Sequence, residues 1–155
     1  MKLYLVQHGL ATSKEEDDQQ PLTGEGLAEV RRIAGYAASL GSIKPRRILR
    51  SGKLRAKQTA EMFAEYLNPR AGVEEVDDLK AMAEPSIRAE RLASETDDMM
   101  LVGHLPHLSR LSSLLICGDL GRDIVRFRNA GIVCLERSDT GVWQLLWKLD
   151  PELIG

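Results

Sequence analysis

The sequence has little cysteine, few aromatic residues and no long apolar run. Its 155 residues include two cysteines, and aromatic residues make up 5%. Two cysteines are too few for a disulfide framework. Cys117 and Cys134 stand among apolar neighbours, so we expect buried, unpaired thiols in a reducing compartment. No apolar run approaches the roughly 20 residues of a membrane span, and Leu3–Val6 is too short for a signal-peptide core. We expect a cytoplasmic protein.

Charge of neither sign dominates the chain. The formal net charge is −2, from 21 basic and 23 acidic residues. This balance leaves no excess of positive charge that would attract nucleic acid or an anionic membrane. Apolar residues at 43% and charged residues at 28% are ordinary for a globular protein. The length suits one domain, residues 1–155, with a continuous core.

Strand-like and helix-like segments alternate along the chain. The predicted strands are Leu3–Gln7, Arg47–Arg50, Val73–Val76, Met99–Gly103, Ile132–Arg137 and Val142–Leu149. The predicted helices begin at Thr23, Lys53, Pro85 and Pro106, and the first three end near Gly41, Leu67 and Ser94. This alternation predicts an α/β fold: a mostly parallel central sheet flanked by helices, with an antiparallel C-terminal hairpin at one edge.

Two histidines stand where buried strands end. His8 follows the first strand and His104 follows Met99–Gly103. Ligands bind at the carboxyl ends of parallel strands, so the two side chains are expected to share a pocket. Neutral imidazole can attack phosphorus or exchange protons near neutral pH. Gly9 leaves room for a ligand to approach His8.

A basic segment follows the second predicted strand. Arg55 falls in the first turn of the helix that begins near Lys53. A helix N-terminus attracts anions, and a guanidinium binds phosphate through two parallel hydrogen bonds. A basic first turn is often only a solvated face. Together with two strand-end histidines, it indicates a phosphate site.

Four motifs now suggest a family. They are His8-Gly9, Pro21-Leu22-Thr23-x-x-Gly26, Ser51-x-x-x-Arg55-Ala56-x-Gln58-Thr59 and Gly103-His104-x-Pro106. In this order they resemble the signature of the histidine phosphatase superfamily, and most of all its SixA branch of phosphohistidine phosphatases. The resemblance implies a phosphoglycerate mutase-like sandwich and a phosphatase that needs neither metal nor cofactor. The three histidines also lack the carboxylate or thiolate neighbours of a good metal site.

The resemblance implies a role for each matching position. His8 would be the nucleophile that carries phosphate as phosphohistidine. Arg55 and His104 would hold the phosphoryl oxygens, with Gln7 beside them. The substrate would be a protein bearing phosphohistidine, and a phosphate-like oxyanion would occupy the pocket. Two alternatives remain open: a small-molecule phosphomonoesterase, and a weakened module that only binds phosphate or a phosphoprotein.

The chain departs from the family pattern at position 7, where the family has arginine and this chain has Gln7. Glutamine keeps an amide donor but no charge, so activity is expected to be reduced. Arg50, at the end of its strand, is one hypothetical source of the missing charge. The alternative is that Arg50 faces solvent or pairs with an acidic residue.

Three other features are open to interpretation. Glu84, just before Pro85, is either a general acid for an alcohol leaving group or a solvated helix-cap carboxylate. His107, one helical turn beyond His104, is expected at the surface or behind the site. The acidic run Glu15–Asp18 reads as a solvated loop, near the entrance for substrate.

Overall fold

The computed structural model describes residues 1–154, and its strands agree closely with the predicted ones. The strands are β1 Lys2–Gln7, β2 Arg47–Arg50, β3 Val73–Glu75, β4 Met99–Gly103, β5 Ile132–Arg137 and β6 Trp143–Leu149. The helices are α1 Gly24–Ser39, α2 Leu54–Leu67, α3 Pro85–Ala93 and α4 His107–Cys117. Short 3₁₀ helices at Asp77–Leu79 and Pro151–Ile154 were not predicted.

The six strands form one sheet in the order β3-β2-β4-β1-β5-β6. The four strands from β3 to β1 are parallel, whereas β5 runs antiparallel to β1 and β6 antiparallel to β5. This confirms the predicted fold class, including the antiparallel hairpin at the C-terminal edge. The central neighbours β1 and β4 both end on the side where His8 and His104 follow.

Alternation along β1 divides the core into two layers. Tyr4 and Val6 pack with apolar residues of α1 and α2 on one face of the sheet. Leu3 and Leu5 pack on the other face with residues of α3 and α4. Because side chains alternate along a strand, Gln7 belongs to the face of Leu5.

The predicted first helix has the expected N-cap. Thr23 has extended backbone angles, and its Oγ accepts a hydrogen bond from the Gly26 N–H at 2.8 Å. One side of α1 is buried, as its apolar spacing indicates. The last predicted helix begins one residue later than expected, because Pro106 is its N-cap.

The expectation of two buried thiols was half wrong. Cys134 lies in the core, whereas Cys117 is exposed. Cys117 ends α4 directly before Gly118, whose left-handed backbone closes the helix. The buried side of that helix is supplied by earlier residues such as Leu108 and Leu111. Within residues 1–154, no helix combines the length and apolar character needed to cross a membrane.

Candidate active site

The two strand-end histidines meet, as the sequence predicted. Parallel pairing sets Gln7 opposite Gly103, and the His8 N–H donates to the Gly103 carbonyl at 3.1 Å. The imidazole rings of His8 and His104 have centroids 4.9 Å apart and planes inclined at 54°. The pairing of β1 with β4 therefore brings together two side chains that are far apart in sequence.

The hydrogen bonds of His8 orient its ring. Its Nδ1 lies 2.7 Å from the carbonyl oxygen of Gly9. A carbonyl oxygen only accepts, so Nδ1 must carry the proton and the neutral ring has its lone pair on Nε2. The amide of Asn129 donates to the His8 carbonyl at 2.8 Å. The Gly9 N–H donates to Thr59 Oγ1 at 3.0 Å.

Position 9 requires glycine because there is no room for a side chain. A Cβ there would lie 2.7 Å from Cγ2 of Val30, on α1. The turn after His8 is thus held closely between α1 and Thr59 on α2. The sequence motifs contained Thr59 but gave it no role, and no pattern singled out Asn129.

Burial keeps both imidazoles neutral. It is the main cause lowering the pKa of His8; the charge of Arg55 adds to this, and the bond to Gly9 opposes it. The pKa of His104 falls to about 3, mainly through burial and then through His8, Arg55 and Lys53. Near neutral pH the nucleophilic lone pair of an imidazole is therefore available.

Ser51 forms a hydrogen bond with the ring of His104. The Ser51 Oγ lies 2.5 Å from Nε2 of His104, and both residues are buried. The Ser51 N–H donates to the Val102 carbonyl at 3.2 Å, which ties the end of β2 to β4. The sequence placed Ser51 in a motif but did not predict this contact.

Arg55 lies in the first turn of α2, as predicted. The N-cap, Lys53, makes no side-chain capping bond, so the first amides of the helix remain available to an anion. Burial lowers the pKa of Arg55, and its charge acts on both histidines. Thr59 Oγ1 donates to the Arg55 carbonyl at 2.8 Å, which links this turn to the His8 turn.

Gln7 carries an unsatisfied polar atom at the end of β1. Its Oε1 is buried, and within residues 1–154 it has no hydrogen-bond partner. An unpaired buried acceptor is unfavourable, so this side chain is not stabilised by its surroundings as the two histidines are.

The hypothesis that Arg50 replaces the missing charge is wrong. Its Nη1 donates to the Glu75 carboxylate at 3.3 Å and to the Ser51 carbonyl at 3.1 Å. Arg50 alternates with Leu49 on β2 and so belongs to the face of Ile48, whereas Gln7 belongs to the opposite face. Arg50 instead forms an ion pair with an acidic residue of the neighbouring strand β3.

Within residues 1–154, neither Glu84 nor His107 forms a hydrogen bond with the ring of His8 or of His104, whose partners are Gly9 and Ser51. Glu84 is exposed at the N-cap of α3 and lines a separate groove with Glu75 and Asp77. His107 is fully buried, so of the two expected positions the one behind the site is the one observed. It lies one turn beyond His104, near the charged groups of Asp78 and Arg88. The Glu15–Asp18 run is exposed, as expected for a loop.

The amino-acid sequence is similar to that of a known family and of a known protein. A sequence model described as the histidine phosphatase superfamily (branch 1) matches residues 3–85. Phosphohistidine phosphatase SixA of Escherichia coli (strain K12) is 24% identical over 156 residues, which cover 97% of this chain and 94% of that protein.

Solved structures share the whole architecture. The protein histidine phosphatase SixA complexed with tungstate has a TM-score of 0.88 at 23% identity, covering 100% of both chains. The alpha-ribazole phosphatase from Shigella flexneri has a TM-score of 0.77 at 15% identity, covering 97% of both. The fold and the sequence match together define a phosphatase. The chain belongs to the histidine phosphatase superfamily, branch 1.

Proposed function

We propose that this chain removes phosphate from phosphohistidine on a protein, through a covalent phosphohistidine intermediate on His8. The observation that carries the proposal is the 2.7 Å bond from Nδ1 of His8 to the Gly9 carbonyl. This bond fixes the tautomer whose free lone pair is on Nε2, beside His104. The likeness to phosphohistidine phosphatase SixA over 97% of the chain supports the substrate class.

In the first step, Nε2 of His8 attacks phosphorus. A new P–N bond forms as the P–N bond of the substrate breaks, and the electron pair of that bond goes to the departing imidazole. Its conjugate acid has a pKa of ~6.5, so a substrate ring already protonated leaves as neutral imidazole. The step therefore needs no dedicated general acid, and Glu84 has no part in it.

In the second step, water attacks phosphorus on His8. The P–Nε2 bond breaks, its electron pair returns to Nε2, the water proton passes to solvent, and inorganic phosphate leaves. The positive charge of Arg55 and the N–H groups of Arg55 and His104 stabilise the phosphoryl oxygens in both transition states. Tungstate, bound by the related SixA, is an oxyanion of the same class, and we infer that such an anion binds among these three side chains.

A turnover experiment tests the proposal. The purified protein is incubated with a peptide containing phosphohistidine and, separately, with glycerol 3-phosphate, an alkyl phosphate whose poor alkoxide leaving group requires an acid. We expect release of phosphate from the peptide only. His8→Ala should abolish release, and His104→Ala should leave a slow residual rate because the nucleophile remains.

The outcomes separate the alternatives. Faster turnover of glycerol 3-phosphate would indicate a phosphomonoesterase. Tight binding of the phosphopeptide without any release of phosphate would indicate a binding module disabled by Gln7. Trapping of labelled phosphate on a residue other than His8 would overturn the assigned nucleophile.

A further inference from the structure

The candidate site described so far has less positive charge than a phosphoryl group has negative charge. A phosphoryl group carries about −1.5 to −2 near neutral pH. Burial keeps both imidazoles neutral, Gln7 has no charge, and Arg50 is paired with Glu75. Of the residues placed in the site above, Arg55 carries a positive charge and the others do not. A second cation at this site would therefore complete the charge balance of the bound anion.

Lys53 is linked to the site by two hydrogen bonds. Its N–H donates to the Ser51 hydroxyl at 3.4 Å, and that hydroxyl lies 2.5 Å from Nε2 of His104. Lys53 is also the N-cap of α2, two residues before Arg55, and its side chain makes no capping bond. The backbone of Lys53 is thus held beside His104, while its side chain is not used by the helix.

The ammonium of Lys53 is close enough to act on the site and is not neutralised by a carboxylate. Burial is the main cause lowering the pKa of His104, and the charges of His8, Arg55 and Lys53 add to it. Within residues 1–154, Lys53 forms no ion pair, and the residue is exposed. Its charge is therefore available to a ligand.

We propose that Lys53 binds the phosphoryl oxygens together with Arg55 and supplies the positive charge that Gln7 lacks. The inference rests on the function proposed above and deepens it by adding a phosphate-binding residue. An ammonium is a compact charge with three rotatable donors on a flexible four-carbon stem, so it can reach the anion from a backbone position at the edge of the pocket. A hydrogen bond between two charged groups is also stronger than one between neutral groups.

Two measurements test the role of Lys53. The first is the Kd for tungstate by calorimetry, which requires no turnover, and the second is kcat/KM for a phosphohistidine peptide. Lys53→Met keeps the length of the side chain and removes its charge. We expect this variant to bind tungstate about tenfold more weakly and to lose about tenfold in kcat/KM, as one exposed hydrogen bond to a charged group gives. Lys53→Arg, which keeps the charge, should retain most of both.

Lys57→Met is the matched control. Lys57 is also an exposed lysine of α2, but it lies one turn further from the start of the helix. This variant should keep the tungstate Kd and the kcat/KM of the parent. Equal weakening in Lys57→Met and Lys53→Met would overturn the proposal, because the effect would then come from the general charge of the helix surface.

Combining Lys53→Met with Gln7→Arg tests whether Lys53 supplies the charge missing at position 7. In the Gln7→Arg background the loss caused by Lys53→Met should shrink to about threefold or less, because the two cations serve the same anion. An equal loss in both backgrounds would overturn this substitution of charge.

The two measurements distinguish this proposal from the proposed function. An unchanged tungstate Kd in Lys53→Met would overturn the role of Lys53 and leave the proposed function standing. Weaker tungstate binding in Lys53→Met, without release of phosphate from the peptide by the parent, would support Lys53 as an anion ligand and overturn the proposed function. No binding of tungstate by the parent would overturn the role of Lys53.

Discussion

The hydroxyl of Ser51 lies 2.5 Å from Nε2 of His104, and the Lys53 N–H donates to that same hydroxyl at 3.4 Å. We expect the hydroxyl, which already accepts from the Lys53 N–H, to donate its own proton to Nε2. The neutral ring of His104 would then carry its proton on Nδ1, and that N–H would face the phosphoryl group. In this arrangement a neutral His104 donates a hydrogen bond to the anion.

Ser51→Ala should lower kcat for a phosphohistidine peptide by about tenfold to a hundredfold, the usual cost of a lost buried hydrogen bond. The ¹⁵N NMR signals of His104 should change from one tautomer to a mixture. Ser112→Ala is the matched control, because Ser112 is also fully buried but donates to the Leu108 carbonyl within α4. An unchanged tautomer with an unchanged rate in Ser51→Ala would contradict the role given to this hydroxyl.

Gln7→Arg should raise kcat/KM by about 10²–10³, the range associated with one donor to transition-state charge. It also removes the buried Oε1 that has no partner in the described chain. Gln7→Met, similar in length but without a donor, should fall below the parent. Arg50→Val should leave the rate near that of the parent, because Arg50 pairs with Glu75. A Gln7→Arg protein no faster than the parent would show that the pocket does not use charge at this position.

His107→Leu should stabilise the protein in acid more than at neutral pH. Both ring nitrogens of His107 are buried without a partner within residues 1–154. Burial is the main cause lowering its pKa; Asp78 and Glu84 oppose this, whereas Arg88 and Arg110 add to it. Below about pH 6.5 the unfolded chain therefore binds a proton that the folded chain resists. Stability due to this residue is present above that pH and is lost as the pH falls, by up to ~1.4 kcal/mol per pH unit.

Urea unfolding of the parent and of His107→Leu at pH 7.5 and pH 5 measures this effect. The parent should lose stability between the two values, and the variant should lose less. Burial also lowers the pKa of His8 and of His104. The free energy of unfolding of the variant should therefore still fall somewhat between pH 7.5 and pH 5. A steeper loss in the variant would mean that His107 is charged in the folded protein.

Asp78→Asn should destabilise the fold by about 3–5 kcal/mol, because it leaves a buried arginine without its counterion. The Arg88 Nη2 lies 2.7 Å from the Asp78 carboxylate, and both side chains are 4% exposed. Glu152→Gln is the control, since it breaks a pair with Arg128 in which the two side chains are 56% and 39% exposed. That change should cost under about 1 kcal/mol. Equal effects in urea unfolding would mean that burial of the Asp78 pair does not matter.

The sequence predicted the features that depend on local pattern. Apolar runs ending in His8 and His104 located the strands and, through the rule that ligands bind at their carboxyl ends, the meeting of the two rings. Contacts set by packing between elements could not be read in this way. The bond from Asn129 to the His8 carbonyl depends on where a long connection returns to the sheet. The burial of His107 depends on the rotation of α4, which a single residue does not reveal.

The spacing of the two imidazoles comes from the pairing of β1 with β4, so it does not depend on the length of loops outside that pairing. The His8 N–H extends the ladder one residue beyond β1 by donating to Gly103. In the part of the chain that the structure describes, the hydrogen bonds of the two reacting rings go to Gly9 and Ser51 and none goes to the loop around Met82, between β3 and α3. Met82 is 78% exposed, and insertions in such an exposed loop cost little entropy. This loop can therefore lengthen or diverge over evolution and acquire new recognition surfaces while the reacting atoms keep their separation.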